Sequence, residues 1–279
     1  MAHSGGYHTE QSSPSISAVN PTTPQLPDGC AVVEEVPVRG LPAVTHPGWA
    51  RAYPWLVQGT TVRGDGTAPF DLGMFSHASP ARTVMEGWER LRAWSGLERV
   101  VHAHQVHEAT VRAHGAGSPG LHVAPACDGH ATGDAGVLLA VTVADCVPVF
   151  LVSPVKRAVA LLHAGWRGAA AGILEVGLSV MASRWQTPAG DVLLHLGPSI
   201  CGQCYEVGPE VFTGLGLPAP SGPAPVDLRA ALARRGVEAG VAPHHLSVSA
   251  HCTLCGPGDL FSHRGGDGFR QVGFLGTRP

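Results

Sequence analysis

The fold is decided by residues 137–168, which read VLLAVTVADCVPVFLVSPVKRAVALLHAGWRG. The apolar run from Gly136 to Pro154 is interrupted by Asp145, so it is typical of two buried strands and not of a segment that crosses a bilayer. Ala158–His163 is a further strand candidate, which a glycine turn and an apolar helical pattern follow. This succession of strand, turn and helix forms one structural unit, and the 279-residue length fits one large α/β-type domain plus a tail.

Shorter patterns of the same kind occur through the rest of the chain. Strand-like runs occupy Trp55–Gln58 and Val100–His107, separated by turns rich in Gly, Pro and Asp. Apolar residues recur at helical spacing over Pro80–Trp94 and again over Asp227–Ala239. No internal repeat is evident, and one globular unit is expected.

The first 50 residues differ in composition from the rest. They are rich in Ser, Pro, Gly and Thr and show little periodicity, so they offer too little apolar area to offset the entropy of ordering the chain. The sequence therefore predicts a disordered tail over residues 1–50 and a single domain over residues 51–279.

Composition excludes several classes of protein. Hydrophobic residues make up 44% of the chain and charged residues 14%, with a formal net charge of −3, so no basic surface for a nucleic-acid backbone is expected. The start MAHSGGYHTEQSSPS lacks the basic and apolar regions of a secretory signal. We therefore expect a cytoplasmic protein that binds neither membrane nor nucleic acid. Seven cysteines in such a chain favour metal or thiol roles over a disulfide framework.

One cysteine and two histidines suggest a metal site. Cys146 lies between two strand candidates, and His163 ends the next strand, where side chains commonly line a cleft. In the segment His102-Ala-His104-Gln-Val-His107, strand periodicity would put the first two histidines on one face and His107 on the other. One Cys and two His would form a zinc site with an open position, although a buried Cys is more often a small apolar residue.

The turn Gly165-Trp166-Arg167-Gly168 is a candidate anion site. A glycine-rich turn that opens a helix presents free N–H groups, and Arg167 could add a bidentate contact to phosphate. The alternative is an ordinary connection between a strand and a helix with a surface arginine.

Two Cys-x-x-Cys pairs, Cys201/Cys204 and Cys252/Cys255, are separated by more residues than a compact zinc ribbon uses. We expect these thiols to be partly buried and near one another, and a structural metal or a redox pair is the alternative.

Several segments together resemble one family, the laccase-domain (YfiH-like) family, in order from about Gln58 to the end of the chain. They are His104-Gln-Val-His107, Thr142-Val-Ala-Asp-Cys-Val-Pro148, Leu162-His-Ala-Gly-Trp-Arg-Gly168, Leu196-Gly-Pro-Ser-Ile200, Cys204-Tyr-Glu-Val-Gly208, Cys252-Thr253, Leu260-Phe-Ser-His-Arg264 and Gly268-Phe-Arg-Gln-Val-Gly273.

The resemblance implies an α+β fold, a single compact domain with mixed β-sheets packed against flanking helices. It also implies phosphorolysis of adenosine, inosine, guanosine and S-methyl-5'-thioadenosine, and deamination of adenosine. The family's zinc triad matches His107, Cys146 and His163. Candidates for phosphate and substrate binding are Gly165, Arg167 and Gly168 of the glycine turn, Arg264 of a matched segment, and Arg63. Arg63 lies in Thr60-Thr-Val-Arg-Gly64, which loosely resembles the family's early Thr-Arg-x-Gly-Gly stretch. Contacts to substrate from the C-terminal part of the chain are less well matched, because Gly265-Gly266 stands where the family often has Arg-Arg-Asp.

Three other functions stay open at this point. The family was named for copper-dependent oxidation of phenols, which needs several paired His-x-His motifs, and only His102-Ala-His104 fits that demand. Cys146 could instead be the nucleophile of a hydrolase with His163 as its base. The chain could also bind zinc or a nucleoside without catalysis. The sequence does not define the oligomeric state.

Overall fold

The computed structural model describes residues 25–64, 66 and 68–279. Over these residues the chain forms sixteen strands and six α-helices. The strands are β1 (Ala31–Val33), β2 (Val36–Pro37), β3 (Ala43–Thr45), β4 (Leu56–Thr61), β5 (Arg99–Ala103), β6 (Val111–Ala113), β7 (Gly120–Ala124), β8 (Gly129–Thr132), β9 (Val137–Val143), β10 (Val147–Ser153), β11 (Ala158–Ala164), β12 (Leu193–Leu196), β13 (Glu206–Val207), β14 (Ala224–Pro225), β15 (Leu246–Ser249) and β16 (Gln271–Thr277). The α-helices are α1 (Pro47–Ala52), α2 (Ala81–Ser95), α3 (Trp166–Ala170), α4 (Ile173–Trp185), α5 (Pro209–Gly214) and α6 (Leu228–Glu238).

The central apolar stretch supplies one strand to each of two sheets. The predicted break at Asp145 is confirmed, because β9 ends at Val143 and β10 begins at Val147. Asp145 has a φ of 82°, in the left-handed region. At this turn the chain passes from one sheet to the other, and β10 then pairs antiparallel with β11.

Both large sheets have seven strands and mix parallel with antiparallel pairs. The first sheet has the order β1-β15-β12-β10-β11-β8-β6, and the second has the order β2-β3-β4-β16-β9-β5-β7. In the first sheet β12 runs parallel to β15 and antiparallel to β10. In the second, β9 runs antiparallel to β16 and parallel to β5.

The alternation of side chains along each strand creates four layers. On β10, Val149 and Leu151 pack into a core shared with α4 and α6, whereas Phe150 and Val152 pack against residues of the second sheet. The far face of the second sheet is covered by α2. The two sheets therefore lie face to face between helices, which confirms the expected α+β class of mixed sheets and flanking helices.

The predicted helices form with small changes. The pattern over Pro80–Trp94 becomes α2, and Asp227 caps α6 by accepting from the N–H groups of Arg229 and Ala230. The pattern after the glycine turn forms two helices, α3 and α4, because Gly172 has a φ of 87° between them. Within the described residues, no helix is both long and apolar enough to cross a membrane.

The expected tail over residues 1–50 is wrong for its second half. Residues 31–52 form β1, β2, β3 and α1; β1 pairs with β15 and β3 pairs with β4. Buried Glu35 accepts hydrogen bonds from His195 at 3.0 Å and from Ser249 at 2.8 Å. The segment is ordered by partners distant in sequence, which its own composition does not reveal. Residues 1–24 of the predicted tail lie outside the described residues.

Candidate functional site

The fold brings His107, Cys146 and His163 together. Cys146 lies in the turn between β9 and β10, His163 is the penultimate residue of β11, and His107 lies in the loop after β5. One potential ligand atom from each residue lies within 4.8 Å of the other two. The rings of His107 and His163 are perpendicular, with centroids 4.8 Å apart. Three donors from three separate segments therefore converge on one point.

The expectation from strand periodicity for the three upstream histidines is wrong. β5 ends at Ala103, so His104 and His107 lie in a loop and both line the same cavity. His107 has a φ of 62°, which turns its ring toward Cys146 in a way that strand geometry would not. His102 is instead buried, with Nδ1 against the carbonyl oxygen of Ala140 at 3.1 Å.

Asp128 orients two of the three residues. His163 Nδ1 donates to Asp128 Oδ1 at 2.8 Å, which leaves Nε2 to face the convergence point. The same carboxylate accepts from the N–H groups of Val106, His107 and Glu108 at 2.9–3.1 Å. Burial opposes ionisation of Asp128, but these hydrogen bonds outweigh it and lower its pKa. One buried carboxylate thus fixes both histidine-bearing segments.

Two further side chains hold the loops in position. Gln105 donates to the carbonyl oxygen of Thr142 at 2.8 Å and accepts from the Thr142 N–H at 2.7 Å, tying the His107 loop to the end of β9. Asp145 accepts from the Thr253 hydroxyl and from the Arg264 N–H, each at 2.6 Å. These bonds also hold Asp145 in its left-handed conformation. Such a conformation costs a residue other than glycine about 1–3 kcal/mol, and strain of this kind is typical of functional sites.

The charges of Cys146 and His163 stabilise each other. Burial disfavours the Cys146 thiolate, yet the positive charge of His163 and hydrogen bonds from both histidines lower the thiol pKa to about 6. Burial also disfavours the imidazolium of His163, yet Cys146 and Asp128 raise the His163 pKa to about 9. Between these values the metal-free pair consists of a thiolate and an imidazolium.

The three residues fit a transition metal ion. A thiolate and two imidazole nitrogens form the donor set of a zinc site that has three protein ligands and an open fourth position. Gly165 leaves the space for it, because a Cβ at that position would lie 3.0 Å from Cys146 Sγ and 3.0 Å from His107 Cδ2.

A cavity of about 390 Å³ opens beside the three residues. This volume is within the range of about 300–1,000 Å³ that small-molecule sites usually have. Phe75 and His104 form an aromatic wall with ring centroids 4.8 Å apart. Arg270 and His263 add polar groups at the rim. The cavity therefore suits a flat, partly polar ligand.

The two glycines of the predicted anion site do not present an extended helix. Gly165 precedes α3, which has only five residues, and its absent side chain leaves space for Cys146 and His107. A Cβ at Gly168 would lie 3.1 Å from the carbonyl oxygen of Glu108, so this glycine permits close approach of the His107 loop.

Two of the predicted arginines, Arg63 and Arg167, make different contacts. Arg63 donates to Asp267 at 2.9 Å and to the carbonyl oxygens of Gly258 and Leu260 at 3.2 Å, so it braces the C-terminal loop. Arg167 is exposed, with its guanidinium 4.5 Å from the centroid of the Trp166 ring.

The other predicted arginine, Arg264, lies beside Tyr205. The guanidinium of Arg264 is 5.4 Å from the centroid of the Tyr205 ring. Burial raises the pKa of the Tyr205 hydroxyl to about 12, and the charge of Cys146 adds to this effect while Arg264 and Arg167 oppose it. Tyr205 is therefore within electrostatic reach of both arginines and of the thiol.

Several residues of the site were missed by the sequence reading. Asp128 stands outside every quoted motif, and an isolated acidic residue before a glycine carries no recognisable signal. Arg270 is part of a matched motif but was given no role, and Phe75 lies in a segment without strong periodicity. Asp128 and Arg270 reach the site because β8, which follows Asp128, pairs with β11, and β16, which follows Arg270, pairs with β9.

Comparisons with known proteins show which family and which fold this chain is similar to. The model of the family described as multi-copper polyphenol oxidoreductase laccase matches residues 58–277. Purine nucleoside phosphorylase YlmD of Geobacillus stearothermophilus is 36% identical over 261 residues, which cover 83% of this chain and 95% of that protein. The crystal structure of YlmD from the same organism has a TM-score of 0.79 and 31% identity, and the match covers 89% of this chain and 100% of that one.

A second name occurs among the relatives. The protein named adenosine deaminase RL5, from an unknown prokaryotic organism, is 36% identical over 141 residues, covering 46% of this chain and 53% of that protein. The family match spans most of the chain and the fold agrees with that of YlmD. The chain therefore belongs to the laccase-domain (YfiH-like) family, whose model is described as multi-copper polyphenol oxidoreductase laccase.

Proposed function

We propose that this chain is a zinc-dependent purine nucleoside phosphorylase that also deaminates adenosine, and that His107, Cys146 and His163 hold the ion. The observation that carries the proposal is the convergence of these three donors on the wall of a cavity large enough for a nucleoside. The names of the YlmD and RL5 relatives support the two reactions. The ion would supply Lewis-acid polarisation.

The residues of the cavity have distinct roles in the proposed phosphorolysis. The rings of Phe75 and His104 receive the purine face, because stacking on aromatic side chains is favourable for any base. During the reaction the glycosidic C–N bond breaks, a phosphate oxygen bonds to the anomeric carbon, and the departing purine takes up a proton. Positive charge that develops on the ribose is stabilised by a nearby anion.

Phosphate is placed by Arg167 and Arg264 in this proposal. Both arginines act on the hydroxyl of Tyr205, which also senses the charge of Cys146. The Arg264 N–H donates to Asp145, the residue before Cys146, and its guanidinium makes one bond, to the carbonyl oxygen of Glu206 at 2.9 Å, so donors remain for an anion. Guanidinium groups bind phosphate with two parallel hydrogen bonds. We give Arg63 no role in binding phosphate, because its guanidinium already contacts Asp267 and two carbonyl groups.

The test is incubation of the zinc-loaded chain with inosine or adenosine, with and without phosphate, followed by chromatography. We expect phosphate-dependent release of hypoxanthine from inosine and phosphate-independent conversion of adenosine to inosine. Cys146→Ala should lose both reactions, whereas Cys30→Ala, outside the three ligands, should retain them. Absence of both reactions from the loaded chain would overturn the function. Full activity in a metal-free Cys146→Ala chain would overturn the assignment of the three ligands.

A cysteine hydrolase is the second candidate, because one observation favours it. Cys146, His163 and Asp128 form a chain of thiolate, imidazolium and carboxylate, which is the arrangement of a nucleophile, a base and an orienting acid. His107 distinguishes the two functions, since a hydrolase does not need a second imidazole against the thiol. Alkylation of Cys146 by iodoacetamide that Zn²⁺ fails to prevent would favour the hydrolase.

Copper-dependent oxidation is disfavoured by the available ligands. Among the described residues, groups of three or more close Cys, His, Asp or Glu side chains number two, and neither is a cluster of paired histidines. A multicopper centre needs such a cluster. His102, from the one matching His-x-His motif, is buried away from the cavity.

A further inference from the structure

The two Cys-x-x-Cys pairs meet in space, as expected from the sequence. Because β12 and β15 are parallel neighbours, the loops that follow them leave the same edge of the sheet. One loop carries Cys201 and Cys204, and the other carries Cys252 and Cys255. The four sulfur atoms all lie within 4.8 Å of one another. The 47 residues between the pairs are therefore no obstacle to a shared site.

The sulfur positions suit a tetrahedral ion better than disulfides. Zinc–sulfur bonds of about 2.3 Å require sulfur atoms about 3.8 Å apart at the corners of a tetrahedron, whereas a disulfide needs about 2.05 Å. The sulfurs of Cys201 and Cys255 are 3.8 Å apart. We propose that Cys201, Cys204, Cys252 and Cys255 form a second, structural Zn²⁺ site, which we call the four-cysteine site.

The backbone around Cys252 is arranged for a thiolate. Its sulfur accepts from the N–H groups of Cys201, Leu254 and Cys255 at 3.3–3.5 Å. Gly256 follows the second pair, and a side chain there would overlap the carbonyl oxygen of Cys252. The tight turn that points these donors at sulfur therefore requires a glycine after the last cysteine.

Four protein ligands close the coordination sphere, which is typical of a structural zinc. The site ties two loops that otherwise share one isolated bridge, between Ser199 and Cys252. The same loops reach Asp145: the Ile200 N–H donates to its carbonyl oxygen at 3.1 Å, and Thr253 donates to its carboxylate. Through these two loops, the four-cysteine site stabilises the turn that contains Cys146.

The experiment counts zinc in the full-length chain by elemental analysis and native mass spectrometry. We expect two ions in the wild type, one in Cys146→Ala, one in Cys255→Ser and none in the double variant. Cys30→Ser is the matched control and should keep two. Cys255 is exposed, so its replacement should leave the chain folded while it lowers the thermal midpoint by about 5 °C or more.

Cobalt provides a second measurement that does not depend on folding of a variant at this site. Co²⁺ added to the zinc-free Cys146→Ala chain should give the strong sulfur-to-metal charge-transfer absorption of a tetrathiolate. Failure of this chain to bind Zn²⁺ or Co²⁺ with its thiols reduced would overturn the four-cysteine site. So would an intact mass showing that the four thiols form two disulfides. Because the count is made without Cys146 and without substrate, neither result bears on the proposed phosphorylase activity.

Discussion

Replacing Asp128 by Asn tests how the candidate metal centre is held. Each carboxylate oxygen of Asp128 has two donors: Oδ1 accepts from His163 Nδ1 and the His107 N–H, and Oδ2 accepts from the N–H groups of Val106 and Glu108. An asparagine has one carbonyl oxygen and one NH₂ group. Whichever way the amide is turned, its NH₂ group faces two of the four donors, and these two donors are left without an acceptor.

The expected magnitude follows from these bonds. Asp128 is fully buried, so each donor left without an acceptor costs about 1–3 kcal/mol, and two cost about 2–6 kcal/mol of unfolding free energy. If the NH₂ group faces His163, the ring loses the partner that fixes its tautomer. Loss of such a partner weakens metal binding by about 10- to 100-fold, which is about 1.4–2.7 kcal/mol.

The zinc dissociation constant is measured by competition with a chelating dye at pH 7.5, and stability is measured by urea denaturation. Asp134→Asn is the matched control, because exposed Asp134 accepts the Ala116 N–H at 2.6 Å and an amide oxygen can replace it. We expect the control to match the wild type in both measurements. Zinc affinity of Asp128→Asn within a factor of two of the control would refute the role given to Asp128.

Three further predictions concern separate parts of the molecule. Glu35→Ala should lower the unfolding free energy by about 3–5 kcal/mol, since it leaves a buried polar network without its acceptor. The hydrogen bonds to Glu35 lower its pKa, so the contribution of Glu35 to stability should persist at neutral pH and disappear on acidification. Urea denaturation of the wild type and of Glu35→Ala, at neutral and at acidic pH, checks this. In the metal-free chain, the rate of alkylation of Cys146, followed by mass spectrometry, should be half-maximal near pH 6. Below that pH the contribution of the thiolate to stability is lost. Cys30 is the control and should react far more slowly, because burial raises its pKa to about 11. Gly165→Ala should weaken zinc binding at the candidate centre at least about 10-fold, because its Cβ would crowd two ligands, whereas Gly222→Ala, with open space around it, should not.

Much of the architecture could be predicted from local patterns. The apolar stretch around Asp145 gave two strands at the expected break, and the apolar spacing between Pro80 and Trp94 gave α2. These predictions succeed because a buried face of a helix or strand requires apolar residues at the period of that element, which can be seen in the sequence. The N-terminal boundary failed for the opposite reason. Glu35 and its neighbours are ordered by hydrogen bonds and strand pairing with residues about 160–210 positions later, which leave no periodic signal.

Some features of the candidate site could also be predicted from the sequence, and others could not. The sequence by itself determined which residues are candidate ligands, His107, Cys146 and His163 and the two cysteine pairs, because thiol and imidazole chemistry belongs to the residue and not to its surroundings. Only the tertiary structure decided that a buried carboxylate, Asp128, orients the histidines and that Arg63 braces a loop. These facts depend on distances of a few ångströms between segments that are far apart along the chain, and strand pairing sets those distances.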